Sequence, residues 1–238
     1  FELTGDQLKV LKEINSDLKS NKRMFRIMQG DVGSGKTIVS MLSLANVIES
    51  NYQCALMGPT EILAYQHFKL ALKIFNNNNF KIEFLSGKTE TRKRKEILRK
   101  LKEGKIDLLI GTHALFQKKI EFKKLGYVVI DEQHKFGVKQ RSDFAKKGGI
   151  NCDVLLMSAT PIPRTMMMSH YGDMDVSKIT EKPSARKKIN TLSKPEKKIN
   201  ELWNFLTKQI AEKNQIFWVC PLIEESKFLD FSSAKKKF

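Results

Sequence analysis

Cysteine is scarce in these 238 residues, and the three present, Cys54, Cys152 and Cys220, are odd in number and far apart. None belongs to a C-x-x-C pair, so neither a zinc site nor a disulfide framework is suggested. Reduced thiols in a cytosolic protein are expected instead. His113 and His134 lack partners at metal-binding spacing, so a histidine metal site is not expected. No apolar run approaches the ~18 residues that a membrane span requires, and no secretory leader is visible. Acidic residues are also in deficit, with 26 Asp and Glu against 43 Lys and Arg, a formal charge of +17. Such an excess fits a polyanionic partner, most often nucleic acid. Lysine decorating a solvated surface would produce it too, and runs such as Lys146-Lys147, Lys187-Lys188 and Lys235-Lys236-Lys237 suit that reading. The first residue is Phe1, and the chain is expected to be a piece of something longer.

Against these absences stands one dense motif, Gly30-Asp31-Val32-Gly33-Ser34-Gly35-Lys36-Thr37. It has the G-x-x-x-x-G-K-[ST] spacing of a phosphate-binding loop. Glycines at 30, 33 and 35 let the backbone turn tightly and aim N–H groups at phosphate oxygens. Lys36 would reach the β- and γ-phosphates, and the Thr37 hydroxyl would hold Mg²⁺. Such a loop needs a strand before it and a helix after it. Met24 to Met28 reads as a buried strand, and Ile38, Met41, Leu42, Ala45 and Ile48 recur at helical spacing. A nucleoside triphosphate, ATP, with Mg²⁺ is the expected cofactor.

Ahead of the loop, Thr4 and Gln7 complete a capping-box pattern before a helix carrying Leu8, Leu11, Ile14 and Leu18. The Gln7 amide could instead read an adenine edge; local sequence favours the cap. Downstream, short apolar runs alternate with helical stretches. The runs are Cys54–Met57, Ile82–Leu85, Leu108–Ile110, Tyr127–Ile130 and Val154–Met157. This pattern predicts an α/β fold with a mostly parallel sheet covered by helices on both faces. Polar residues fall just after each run, and should converge on one edge of the sheet. Asn76 to Asn79 is expected to be a loop. Arg92 to Lys102 is expected to be a basic helix whose cations form a solvated face.

Asp131-Glu132 is the acidic pair that a phosphate loop requires. Asp131 would hold Mg²⁺ alongside Thr37, and Glu132 would orient and polarise the attacking water. Ser158 and Thr160 fit either a turn before Pro161 or a hydrogen-bond relay from the carboxylates to a second ligand. Asp173 to Lys194 loses apolar periodicity and reads as a connector. A capping box at Ser193 to Glu196 then predicts a helix with Ile199, Leu202, Trp203, Leu206 and Ile210, and a strand at Ile216 to Cys220. One helix, one strand and a tail cannot enclose a core. The expected division is a first domain at 1–180, a linker at 181–194, and the truncated start of a second domain at 195–238.

Taken in order, Gly30 to Thr37, Asp131-Glu132-Gln133-His134 and Ser158-Ala159-Thr160 resemble motifs I, II and III of superfamily-2 helicases. Pro59 to Ala64, Gly111 to Gln117, Phe136 to Arg141, Pro161 to Thr165 and Ser169 to Val176 narrow this. They resemble the RecG family of bacterial branched-DNA helicases, as does Phe217 to Ser226. The resemblance covers nearly the whole chain. It implies an ATP-driven motor of two RecA-like domains that translocates on DNA and remodels stalled forks and Holliday junctions. It also implies a bacterial, cytoplasmic, nucleoid-associated monomer without a membrane partner. On this resemblance Gln7 becomes the adenine reader, and Thr60 and Thr112 become contacts to the DNA backbone. His134, Ser158, Thr160 and Arg164 become couplers between hydrolysis and DNA grip. Tyr65 stands where the family pattern has an acidic residue, off the catalytic positions. The family's N-terminal wedge and its later second-domain motifs, with an arginine finger, are not matched. The chain alone is therefore expected to bind nucleotide weakly and hydrolyse it poorly. A similar motor belongs to the transcription-repair coupling translocase, though Gln133 and Ser169 to Val176 favour RecG. A non-catalytic nucleic-acid-binding piece with an inert phosphate loop is the alternative of another class.

Overall fold

The computed structural model describes residues 2–117, 120–131, 152–160, 174–181 and 189–219. The chain divides into two compact units, 1–186 and 187–238. In the first, seven strands form one sheet in the order β3-β4-β2-β5-β6-β1-β7. They are β1 (Phe25–Gly30), β2 (Gln53–Met57), β3 (Ile82–Leu85), β4 (Leu108–Gly111), β5 (Leu125–Ile130), β6 (Asp153–Ser158) and β7 (Asp175–Ile179). Every pairing is parallel. All the carboxyl ends therefore lie along one edge.

The sheet is covered on both faces because its central strands are apolar on both. Side chains alternate along each strand, so neighbours in sequence enter opposite cores. Ile27, Ala55, Met57, Val128 and Leu156 join a core that takes Ile97 and Leu101 from α4 (Thr91–Glu103). Met28, Leu56, Val129 and Met157 join the other, with Val10 and Ile14 from α1 (Gly5–Leu18) and Val39, Met41 and Leu44 from α2 (Lys36–Glu49). Ala71 of α3 (Glu61–Ile74) lies in the same core. Helix boundaries follow local chemistry. The Thr60 hydroxyl accepts the Leu63 N–H to cap α3, and Gly104, with φ at 77°, turns the chain out of α4. At the end of β4 a side chain on Gly111 would fall on the Leu85 carbonyl oxygen, so only glycine lets β3 and β4 finish side by side.

Three expectations need correction. Asp173–Lys194 is not connector throughout, because Asp175–Ile179 is the edge strand β7, paired to β1. Its polar residues have partners that sequence distance hides. The Arg26 guanidinium donates to Ser177 Oγ at 2.9 Å and Asp17 at 2.7 Å, with Glu13 at 3.5 Å and Asp175 at 3.9 Å. Second, the helix does not start from Ser193. A 3-10 turn at Glu196–Lys198 precedes α5 (Ile199–Ala211), which has no side-chain cap. Third, residues 216–219 pair with no strand among the described residues, and Phe217 and Val219 stay 87% and 88% exposed. Aromatic and β-branched residues favour strands only where a neighbouring strand and a buried face exist. Within this second unit Trp203 stacks on Trp218 at 5.0 Å.

Cys54 and Cys152 are buried free thiols. Burial pushes both up, Cys152 to about 12 and Cys54 well above its ordinary value. Neither forms thiolate at neutral pH, so neither is a nucleophile.

Candidate active site

Five of the segments that leave the carboxyl edge carry most of the residues singled out from sequence. Gly30 to Thr37 follows β1, Thr60 follows β2, and Thr112 follows β4. Asp131 follows β5, and Ser158 to Thr160 ends β6. In register, Ile130 pairs with Leu156, and Leu156 with Ile27. Asp131 and the phosphate loop are thus separated only by β6, about 10 Å of sheet. Ser158 lies between them, with its hydroxyl 3.1 Å from that of Thr160 and accepting the Thr160 N–H at 3.2 Å. Glu132, His134 and Arg164 lie outside the described residues.

The loop is built for anions. Gly33 and Gly35 have φ of 77° and 91°, which turns successive N–H groups inward. Lys36 is nine-tenths buried, and its ammonium donates to the Gly30 carbonyl and to that of Asp31 at 3.0 Å. Lys36 and Thr37 are the first two residues of α2. Among the described residues, Ser34 Oγ is the one buried side-chain oxygen without a hydrogen-bond partner. Ammonium and N–H donors suit phosphate oxygens, and a hydroxyl with a carboxylate suits Mg²⁺. The donors present therefore fit a magnesium-bound triphosphate.

Gln7 makes the cap that local sequence favours and one further contact. Its carbonyl oxygen accepts the Thr4 N–H at 3.0 Å, and the Thr4 hydroxyl accepts the Gln7 N–H at 3.3 Å. That completes the capping box. Its Nε2 donates to the Ser34 carbonyl at 2.8 Å, which fastens α1 to the phosphate loop. A side chain on Gly35 would collide with this amide. Gly35→Ala combines that clash with a left-handed backbone worth roughly 1–2 kcal/mol. We expect a melting temperature about 2–8 °C lower and weaker nucleotide binding. An unchanged melt by circular dichroism would show that the loop relaxes without cost.

Sequence reasoning missed His67. It sits on α3, 8% exposed, with Nε2 2.8 Å from Asp131 Oδ2. A carboxylate only accepts, so His67 Nε2 donates. The Asp131 N–H donates in turn to the Met57 carbonyl at 2.8 Å. The signal was hidden because His67 falls among the apolar residues of α3 and its partner is 64 positions away. Thr60 is exposed and Thr112 buried, each at the head of its loop. Tyr65 packs against Phe68 and Phe84, ring centroids 6.0 and 5.4 Å away, so it belongs to an aromatic cluster. Among the described residues no helix is long and apolar enough to cross a membrane, and no cluster of metal ligands of the His/Cys/carboxylate kind occurs.

Comparison with known proteins agrees with this geometry. The DEAD/DEAH box helicase family model matches residues 4–169. The ATP-dependent DNA helicase RecG of Thermotoga maritima is 44% identical over 238 residues, 100% of this chain and 30% of the relative. That of Bacillus subtilis is 46% identical over 234 residues, 98% of this chain and 34% of the relative. The chain thus spans about a third of the length of these relatives. A solved structure of RecG bound to a three-way DNA junction superposes with a TM-score of 0.78 at 41% identity, over 89% of this chain and 28% of that one. The DEAD-box helicase Mss116 bound to single-stranded RNA and UDP-BeF shares the fold, with a TM-score of 0.63 at 20% identity over 89% of this chain and 48% of that one. The resemblance to RecG read from the motifs therefore holds over the whole length, and the chain belongs to the DEAD/DEAH box helicase family.

Proposed function

We propose that this chain carries the ATP-binding motor of a helicase that hydrolyses ATP to move on and remodel branched DNA, at stalled forks and Holliday junctions. The observation that carries the reading is the common sheet edge. The phosphate loop, Asp131, Thr60 and Thr112 all leave it, so hydrolysis and strand contact share one rigid base. Similarity to RecG, solved on a three-way junction, supports DNA as the track.

In this reading Gly30 to Gly35 cradle the phosphates, Lys36 neutralises the β- and γ-phosphates, and Gln7 reads the adenine. Thr37 and Asp131 hold Mg²⁺, which supplies Lewis-acid stabilisation of the charge on the transferred phosphoryl group. Glu132 takes a proton from the attacking water and fixes its direction. Ser158 and Thr160, with His134 and Arg164, carry the change in phosphate contacts to the strand held by Thr60 and Thr112. Residues 1–180 form the first RecA-like domain, 181–194 the linker, and 195–238 belong to a second RecA-like domain. The protein acts as a monomer in the bacterial cytoplasm at the nucleoid.

The test compares ATP hydrolysis without DNA, with linear duplex and with a three-way junction. Stimulation by the junction is expected. Measurable hydrolysis that is equal in all three would overturn the reading. Glu132→Gln should keep ATP bound while hydrolysis falls roughly 100-fold or more, the scale of a lost general base. Loss of binding as well would make Glu132 structural.

A further inference from the structure

The positive charge of this chain is unevenly placed. Residues 88–105, which contain α4, hold nine Lys or Arg and three Glu. The C-terminal half of the helix is neutralised from nearby. Lys100 pairs with Glu96 at 2.7 Å, Arg99 with Glu103 at 2.7 Å and Lys102 with Glu121 at 2.7 Å. In the first half, Arg92, Lys93 and Lys95 are exposed and make no hydrogen bond or ion pair with any described residue. Three carboxylates, Glu83, Glu90 and Glu96, lie near Arg92 and Lys93, and Glu96 is held by Lys100. Apart from a weak attraction of Arg92 for Glu96 one turn on, these three cations add little to the helix itself. They repel one another and oppose its dipole, with no acidic residue in the first turn to offset them.

Their location gives them a use. The strand order β3-β4-β2 sets three loops side by side along the carboxyl edge: Thr60 after β2, Thr112 after β4, and Ser86 leading to α4 after β3. Side chains fasten these loops together. The Glu61 carboxylate accepts from Ser86 Oγ at 3.1 Å and lies 3.5 Å from Lys88 Nζ. Arg94 donates to the Ser86 carbonyl at 3.4 Å and to Gln117. Arg94 is thereby spent on holding α4 in place, while its sequence neighbours project outward. Two strand spacings, about 10 Å, match roughly three phosphates of one DNA strand.

We infer that Arg92, Lys93 and Lys95 hold the phosphate backbone of DNA that has passed Thr60 and Thr112, lengthening the track onto α4. The inference rests on the DNA-translocating function proposed above and assigns it a surface. The contacts are to phosphates, so they add affinity without reading sequence.

The test uses the full chain with Arg92→Gln, Lys93→Gln and Lys95→Gln combined, and a fluorescent three-way junction titrated across a salt series. Glutamine keeps the helix, and a thermal melt checks that. Losing three phosphate contacts should make the slope of log affinity against log salt shallower by about 3. At low salt the affinity should drop roughly 3- to 100-fold, the range for three exposed charge pairs. ATP binding should not change. A control carrying Lys100→Gln and Lys102→Gln should keep the parent slope. The inference is overturned if the triple variant matches the parent, or if the control loses as much, which would point to a diffuse field. Failure of the parent itself to bind the junction would instead sink the proposed function, and this surface with it.

Discussion

Lys36→Ala is expected to lower ATP affinity by at least about 100-fold while leaving the folded domain intact. Lys36 is nine-tenths buried, and its ammonium donates to the carbonyls of Gly30 and Asp31. A triphosphate would exchange those neutral acceptors for charged oxygens on two phosphates. Hydrogen bonds to charged groups contribute roughly 1.5–3 kcal/mol each. Two of them give about 3–6 kcal/mol, and every 1.4 kcal/mol is tenfold in affinity. Stability should respond far less. Asp31 is exposed, Gly30 is half-buried, and water can reach the carbonyls that lysine leaves. Calorimetric titration with a non-hydrolysable ATP analogue reads the first effect and a thermal melt the second. Wild-type affinity in the variant would remove the loop from the nucleotide site, and the proposed function with it.

What the residue string discloses here depends on how local the determining interaction is. β2, β4 and β6 are visible because strands buried on both faces must be apolar at every position, and such runs stand out. The edge strand β7, Asp-Val-Ser-Lys-Ile, is the opposite case. Only Val176 and Ile179 pack against the two cores, and Ser177 and Asp175 are satisfied by Arg26, about 150 positions away. A trace of it does exist in sequence, since an arginine inside the buried strand Phe25–Gly30 demands acidic company from somewhere. The Thr4–Gln7 box was readable because both its hydrogen bonds span three residues. The bond from Gln7 to Ser34 spans 27 and was not. Residues 216–219 show the converse error: a run with strand propensity and no strand to pair with among the described residues. At the proposed site, the phosphate loop and Asp131 are legible as spaced motifs, because phosphate and metal chemistry fix the residue types. His67 carries no motif of its own, since imidazole fits many surroundings and only its distance from Asp131 gives it meaning.

His67→Ala is expected to raise the Mg²⁺ concentration needed for tight nucleotide binding by about 10- to 100-fold, the usual effect of losing a partner that orients a metal-holding carboxylate. His67 and Asp131 side chains are 10% and 14% exposed, so water replaces the lost donor poorly. With only its own backbone to fix it, the carboxylate can rotate away from the metal position proposed for it and Thr37. His67 also lies seven residues after Thr60, two helical turns along one face of α3. Any shift of α3 caused by DNA at Thr60 would reach Asp131 through this single hydrogen bond. DNA should therefore improve Mg²⁺-dependent nucleotide binding in the parent and have little influence on it in the alanine variant. His67→Gln can present an Nε2 donor from a similar reach and should restore part of both effects. The readout is fluorescence of a bound nucleotide analogue during Mg²⁺ titration, with and without junction DNA, so hydrolysis is not needed. If alanine destabilises the fold, the glutamine variant still decides. Parent-like Mg²⁺ dependence in a folded alanine variant would mean that the His67 hydrogen bond only packs α3 against the sheet. A shifted Mg²⁺ requirement with undiminished response to DNA would keep the orienting role and assign the coupling to the loop after β6, where Ser158 and Thr160 stand between the two strands that carry the site.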